Sequence, residues 1–311
     1  MMEEKIIVGS GGDFPLNGML TIPDDDYNAL YPAVVFVHGS GSSNMDSKVY
    51  NIRPFKDFAE GLAKQGVASI RYDKRSFVHA RKMMKQKVLV TAKEEAIEDA
   101  ILAADILKSD SRIDNSRIFI AGISLGGMLV PRIDAESNVF AGLILLAAPA
   151  RRLEEVMKDQ MEDASLKKPG GILGWIIKRQ ANKLFSKLEN LYDMSDEDAK
   201  NISIMGGATA FYFKDMGQKR VGEYLESTAK PVLVMHGDGV FQVSTEKDYN
   251  ELKRSLQNHQ NATCKLYPGL NHVFMPVVCG EIKSAKEEYS KPQHVADYVI
   301  SDMAQWIHAI N

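Results

Sequence analysis

The stretch Arg117-Ile-Phe-Ile-Ala-Gly122-Ile-Ser124-Leu-Gly126-Gly127-Met-Leu-Val130 joins a short apolar run to a segment with helical spacing through a single glycine-flanked turn. The run predicts a buried strand over Arg117–Ala121, and the spacing that follows predicts a helix over Leu125–Ile133. Between them stands the pattern G-x-S-x-G in the strand–turn–helix setting that gives it meaning. A serine at the apex of so tight a turn occupies strained backbone, and its neighbours two positions away need to be glycine to avoid clashes. The helix that starts there directs its first N–H groups at the place where a negative oxygen would develop. A tight glycine turn alone needs no chemistry. With strand and helix on its two sides, Ser124 becomes the candidate nucleophile.

Outward from this turn, short apolar runs alternate with helical periods, the signature of a parallel sheet covered on both faces. Lys5–Gly9 and Leu16–Ile22 read as an opening antiparallel pair turned at Gly11-Gly12-Asp13. Pro32–His38, Val67–Tyr72, Ala141–Ala147, Pro231–His236 and Thr263–Tyr267 read as further strands. Helices are expected at Phe55–Gln65, Lys93–Leu107, Thr245–Leu256 and His294–Ile310. The rhythm breaks between Arg151 and Thr228, where helical, Met- and Lys-rich sequence replaces strands. This divides the chain into an α/β core, residues 1–150 and 229–311, and a helical cap or lid insertion, residues 151–228. Ile172, Trp175, Ile176, Phe185, Leu188 and Leu191 would line an amphipathic face. Met157, Met161, Met194, Met205, Phe211, Tyr212, Phe213 and Met216 would give the insertion either an apolar pocket lining or simply its own core. There is no internal repeat.

The chain has 311 residues, 45% of them apolar and 25% charged, with 38 basic and 41 acidic side chains. That is the mixture of a globular protein with a large core. A formal charge of −3 argues against nucleic acid as a partner, because neutralising phosphates requires a clustered cationic excess. One local basic run, Arg71, Lys74, Arg75, Arg81, Lys82, Lys85 and Lys87, reads as a solvated loop or helix face. Two cysteines, Cys264 and Cys279, exclude a disulfide framework and a four-thiolate zinc site. No apolar run is long enough for a membrane span, and the first residues do not resemble a secretory signal, so a cytoplasmic location is expected.

Two further segments complete the candidate site. His38-Gly39-Ser40-Gly41 ends a buried strand, so a backbone N–H there, from Ser40, would pair with that of Leu125 as an oxyanion hole. Among seven histidines, His272 in Gly269-Leu-Asn-His272 follows the last strand, on a loop able to reach across the top of the sheet to Ser124. His236 ends a strand and is expected to pack against the neighbouring loop. His294 and His308 fall on the expected last helix, and His79 and His259 sit in polar surroundings.

With His38-Gly-Ser-Gly41, Arg71-Tyr-Asp-Lys-Arg75, Gly122-Ile-Ser-Leu-Gly-Gly127 and Gly269-Leu-Asn-His272 in place, the sequence resembles the α/β-hydrolase superfamily, in its carboxylesterase and dienelactone-hydrolase-like part near the serine-aminopeptidase-like branch. The resemblance implies a mostly parallel central sheet flanked by helices. It also implies a serine hydrolase in which Ser124 attacks an acyl carbonyl, His272 acts as base, and water releases the acyl group, with no metal and no organic cofactor. An apolar lid would favour a small-molecule acyl ester of small to medium size. An aminopeptidase or amidase is the alternative within the fold, and a catalytically weakened binding protein the alternative outside catalysis.

Relatives typically carry the triad acid in Gly-x-x-Asp-x-Gln-Val. Here the segment reads Gly237-Asp238-Gly239-Val240-Phe241-Gln242-Val243, with Val240 in the acid position. Either Asp238 turns in to orient His272, or the acid is absent or comes from another loop, or the chain carries an inactivating substitution. Two smaller expectations follow: Ser76 and Phe77 replace the usual glycine before a charged loop, Val78–Thr91, that would overhang the pocket, and Asp46 structures its loop.

Overall fold

A computed structural model describes residues 1–24, 30–166, 179, 182–204, 207–239, 241–280 and 285–310. Ile172, Trp175, Ile176, Met205 and Val240 lie outside the described residues.

Eight strands form one sheet: β1 (Met2–Val8), β2 (Leu16–Ile22), β3 (Tyr31–Val37), β4 (Ala68–Tyr72), β5 (Ile113–Ile123), β6 (Gly142–Leu146), β7 (Val232–Gly237) and β8 (Ala262–Tyr267), in the order β1-β2-β4-β3-β5-β6-β7-β8. β1 and β2 pair antiparallel, as do β2 and β4. All other neighbours are parallel. The winding reverses between β3 and β5: the chain steps from β3 outward to β4 and returns to β3's other side with β5. The carboxyl ends of β3 and β5 therefore open the crevice where doubly wound sheets place their ligands. Val37 pairs with Gly122 at that edge, which sets His38-Gly-Ser-Gly41 beside Gly122–Gly127.

The continuous apolar runs are explained by burial on both faces. In β3, Ala33, Val35 and Val37 enter one core, shared with Ala100, Ala104 and Leu107 of helix Glu98–Ser109 and Leu129 and Ile133 of helix Leu125–Ser137. Val34 and Phe36 enter the other, packed by Phe55, Phe58 and Leu62 of helix Pro54–Ala63 and Val299, Met303 and Ile307 of helix Asp297–His308. Pro54 opens its helix at the position that tolerates a missing N–H.

Between β6 and β7 the described helices include Leu153–Leu166, Asp196–Asn201, Ala210–Met216 and Val221–Ser227. Leu188, Leu191, Tyr212, Phe213, Met216 and Leu225 are buried in the same core as Leu125, Met128 and Leu129, with Met157, Met194 and Phe211 packed against it. Most of the apolar residues proposed for a pocket lining thus fill a core on top of helix Leu125–Ser137.

Several expectations change. β5 starts at Ile113 because Tyr31 pairs with it beyond a register shift. The helix expected from Lys93 begins with a π-helical turn, Lys93–Ile97, before helix Glu98–Ser109. The helix expected at Thr245 likewise opens as a π-helical turn, Thr245–Tyr249. His294 precedes the last helix and pairs with Asp57 at 2.9 Å. The charged segment after Phe77 holds helix Ala80–Lys85 and anchors on the β1–β2 turn: His79 Nε2 meets the Pro15 carbonyl at 2.8 Å, and the Lys82 ammonium lies 4.9 Å from the Phe14 ring centre.

A Cβ added at Gly126 would fall 2.3 Å from the Val37 carbonyl oxygen and 2.6 Å from that of His38, both backbone. Gly126→Ala must push β3 away from the helix, so it should destabilise the fold by about 3 kcal/mol or more, read by urea unfolding. An unchanged midpoint would refute this close packing.

Candidate active site

Ser124 has φ 56° and ψ −121°, backbone that side chains other than hydrogen rarely adopt. The surroundings hold it there. Its N–H donates to the Leu146 carbonyl at 2.9 Å, tying the turn to β6, and its carbonyl accepts from Met128 N–H at 3.0 Å. A Cβ at Gly122 would lie 2.3 Å from the Gly126 backbone, and one at Gly127 2.7 Å from the Ala148 Cβ. The three glycines let β5, β6 and the helix approach closely enough to fix the serine. Leu125 is the first residue of helix Leu125–Ser137, so its N–H has no acceptor within the helix and remains available.

The β3 loop lies against the same point. A Cβ at Gly39 would sit 3.3 Å from the Ser124 Cβ and 3.2 Å from the Ile123 carbonyl oxygen. Gly39 and Ser124 thereby stand side by side, with Ser40 and Leu125 next to them in the chain. The β4 end backs the loop: Asp73 Oδ1 accepts from Met45 N–H at 2.7 Å, and Arg71 reaches Asp46 at 3.0 Å, giving Asp46 its loop-structuring part.

Here the first three members of the basic run depart from its reading as a solvated face, while Arg81, Lys85 and Lys87 are exposed as that reading has them. Arg71, Lys74 and Arg75 are buried. Arg71 donates to Glu3, Asp46 and Thr21, Arg75 to Glu98 and Asp99, and Lys74 to Glu95 and the Gly39 carbonyl. Burial of a cation is sustainable only when it is paired and hydrogen-bonded, and the pairing acids lie far away in sequence.

His272 follows β8 at the same end of the sheet and is buried. Its loop is built around Asn271, whose Oδ1 accepts from Val273 N–H and Met275 N–H, both at 3.1 Å. Phe274 takes φ 62° to close the turn. Asn271 Nδ2 donates to Glu288 at 2.9 Å. Glu288, fully buried on helix Ala285–Ser290, also accepts the N–H groups of Val278, Cys279 and Gly280 and the Cys279 thiol. Burial pushes this carboxyl up, but the bonds from Asn271, Cys279 and Gly280 outweigh it and hold the group down at about 2. Sequence reasoning missed Glu288, because Glu287-Glu288 reads as an exposed acidic pair and nothing local marks the second as buried.

The structure does not join Asp238 to His272. The Asp238 side chain is exposed, and its Oδ1 accepts from Gly269 N–H at 2.6 Å, bracing the turn that leads into the histidine loop. His272 Nδ1 is buried with no hydrogen-bond partner among the described residues. Burial first, then neighbouring His236, depress the imidazole to about 3, with no described carboxylate offsetting them. His236 is itself stacked on Tyr249, ring centres 5.4 Å apart, and burial holds it at about 4 despite Asp248 and Asp238. His38 is depressed to about 4 by burial, with Nε2 2.5 Å from the Tyr72 carbonyl.

A strained serine between a parallel strand and a helix, at the switch point of an eight-stranded sheet and with a histidine on the loop after the last strand, defines the α/β-hydrolase class. Residues 31–276 match the family described as serine aminopeptidase, S33, and the chain belongs to that family. It is 35% identical over 305 residues to esterase EstD of Thermotoga maritima, an alignment covering 98% of this chain and 67% of that protein. The fold is similar to that of Est1E from Butyrivibrio proteoclasticus, at TM-score 0.60 and 18% identity over 98% of this chain and 99% of that one. It is also similar to the Pyrococcus furiosus esterase Pf2001, at TM-score 0.57 and 14% identity over 99% and 91%.

Three imidazoles held neutral below their ordinary value of about 6.5 carry a stability consequence. Their folded pKa values are depressed, so the unfolded chain binds more protons between about 6.5 and 4. Their contribution is complete above pH 6.5 and is lost as pH falls through the folded values. His236→Phe removes one such group and should therefore lose less melting temperature than wild type between pH 7 and pH 5. Parallel losses would show that His236 is not held neutral.

Proposed function

We propose that this protein is a serine carboxylesterase cleaving small to medium acyl esters through an acyl-enzyme. Ser124 Oγ attacks the carbonyl carbon while His272 Nε2 takes its proton. The N–H groups of Ser40 and Leu125 receive the oxyanion, and on its collapse the alcohol leaves with the proton returned by His272. Water, activated by the same imidazole, then releases the acid. The cycle uses neither metal nor organic cofactor. Residues 151–228 act as the cap over the substrate, with residues 1–150 and 229–311 as the catalytic core. A cytoplasmic location belongs to the same reading, supported by a chain with only two cysteines.

The observation that carries this reading is the strained Ser124 wedged against Gly39 at the start of a helix. The esterase name of the Thermotoga maritima relative supports the ester over the amide. A fluorophosphonate should label Ser124, and hydrolysis of p-nitrophenyl acetate or butyrate should vanish in Ser124→Ala. Activity surviving that replacement would sink the assignment.

A second reading, a weakened hydrolase, is favoured by the unpartnered His272 Nδ1 together with the valine at position 240. In the serine-protease triad, loss of the acid's proper partnership costs roughly four orders of magnitude in turnover. Asp238→Asn should leave kcat within about threefold, because that carboxylate serves Gly269. Val240→Asp should raise kcat by on the order of a hundredfold or more. The opposite pattern, Asp238→Asn silencing the enzyme, would make Asp238 the acid after all.

A further inference from the structure

We propose that Lys74 is a positioning residue for the oxyanion site: its ammonium group fixes the plane of the Gly39–Ser40 peptide so that the Ser40 N–H faces Ser124. The proposal rests on Ser124 being the nucleophile. Lys74 is 3% exposed, and its Nζ donates to the Gly39 carbonyl at 2.8 Å and to Glu95 at 2.5 Å. The Gly39 carbonyl and the Ser40 N–H belong to one peptide unit. In a trans peptide the two point in opposite directions, and no cis bond occurs among the described residues. Tying the oxygen to Lys74 therefore turns the N–H away from Lys74. A Cβ built on Gly39 would stand 3.3 Å from the Ser124 Cβ, so the loop is already beside that serine.

Such a peptide needs an external hold. Gly39 has no side chain and Gly41 takes φ 85°, which leaves the intervening unit easy to rotate. Lys74 is itself fixed to the loop's far side, its backbone N–H donating to the Ser43 carbonyl at 3.0 Å, while Asp73 holds Met45. Glu95 arrives on the π-helical turn Lys93–Ile97 and balances the buried charge. A cationic donor on the carbonyl also polarises the peptide, which strengthens its N–H as a donor to a developing oxyanion.

The test separates this role from that of a buried ion pair. Glu95→Gln provides the reference, and Lys74→Met/Glu95→Gln removes the clamp without stranding a carboxylate. Each is read by kcat and KM on p-nitrophenyl acetate and by Ki for an aliphatic trifluoromethyl ketone, whose adduct with a serine carries an oxyanion. Relative to the reference, the double variant should lose about tenfold to a hundredfold in kcat, with KM within threefold and Ki raised by a similar factor to the loss in kcat. A folded double variant with kcat and Ki within threefold of the reference overturns the proposal. Should that variant not fold, Lys74→Gln/Glu95→Gln, a neutral donor, is read in the same way: an intermediate loss in both quantities supports the clamp, and no change overturns it. A wild type that neither hydrolyses the ester nor binds the ketone fails earlier, at Ser124 itself. An active wild type with indifferent variants fails at Lys74 alone.

Discussion

The backbone of one residue, Ser124 at φ 56° and ψ −121°, sets the terms for everything around it. Strain of this kind costs about 1–3 kcal/mol and persists only where neighbours leave no alternative. Here the neighbours are mostly backbone: Gly122 against Gly126, Gly126 against the Val37 and His38 carbonyls, Gly127 against the Gly122 carbonyl and the Ala148 Cβ. Those contacts demand that β3, β5, β6 and the helix after the serine approach more closely than side chains allow, and the order of the parallel strands makes that approach possible. The same closeness brings the β3 loop to the serine. The strained serine and the Gly39–Ser40 peptide beside it are thus two consequences of one packing constraint.

Charge is placed behind this arrangement rather than in it. Arg71, Lys74 and Arg75 stand at the end of β4, each buried and each paired with an acid from a distant element. Replacing one partner of such a pair leaves an uncompensated buried charge, so the pairs specify where β1, the β3 loop and the helices after Thr91 must sit. The histidines show the opposite solution. His38, His236 and His272 are buried and lose their charge instead of forming an ion pair with a described acid.

How much of this the sequence disclosed depends on whether the signal is local. The strand–turn–helix around Ser124 is legible because apolar run, glycines and helical spacing are contiguous, and the alternating cores of β3 follow from an unbroken apolar run. The buried basic residues were illegible: Arg71, Lys74 and Arg75 look like a surface face until Glu3, Glu95 and Asp99 are brought to them by the sheet. Glu288 was hidden for the same reason, its five donors lying across a turn that spacing alone does not close. At Asp238 the signal is local. Its glycine-flanked position suggested an acid, and the structure adds that its Oδ1 accepts from Gly269 N–H, a local turn bond of the kind aspartates commonly make.

The unpartnered Nδ1 of His272 decides what kind of catalyst the site can be. A base held at about 3 is neutral at any ordinary working pH, so proton acceptance is not limited by protonation of the ring. The deficit arises a step later. In the proposed cycle the ring that takes the Ser124 proton becomes an imidazolium in a buried place, beside His236 and with no described carboxylate to share the charge. The low pKa and the cost of charging the ring are therefore one quantity: each unit by which burial lowers the imidazole raises the imidazolium by about 1.4 kcal/mol relative to the ordinary case. The oxyanion donors act on the other charge of the same transition state and are unaffected by this loss. A carboxylate placed on Nδ1 would raise the ring's basicity and stabilise its charged form together.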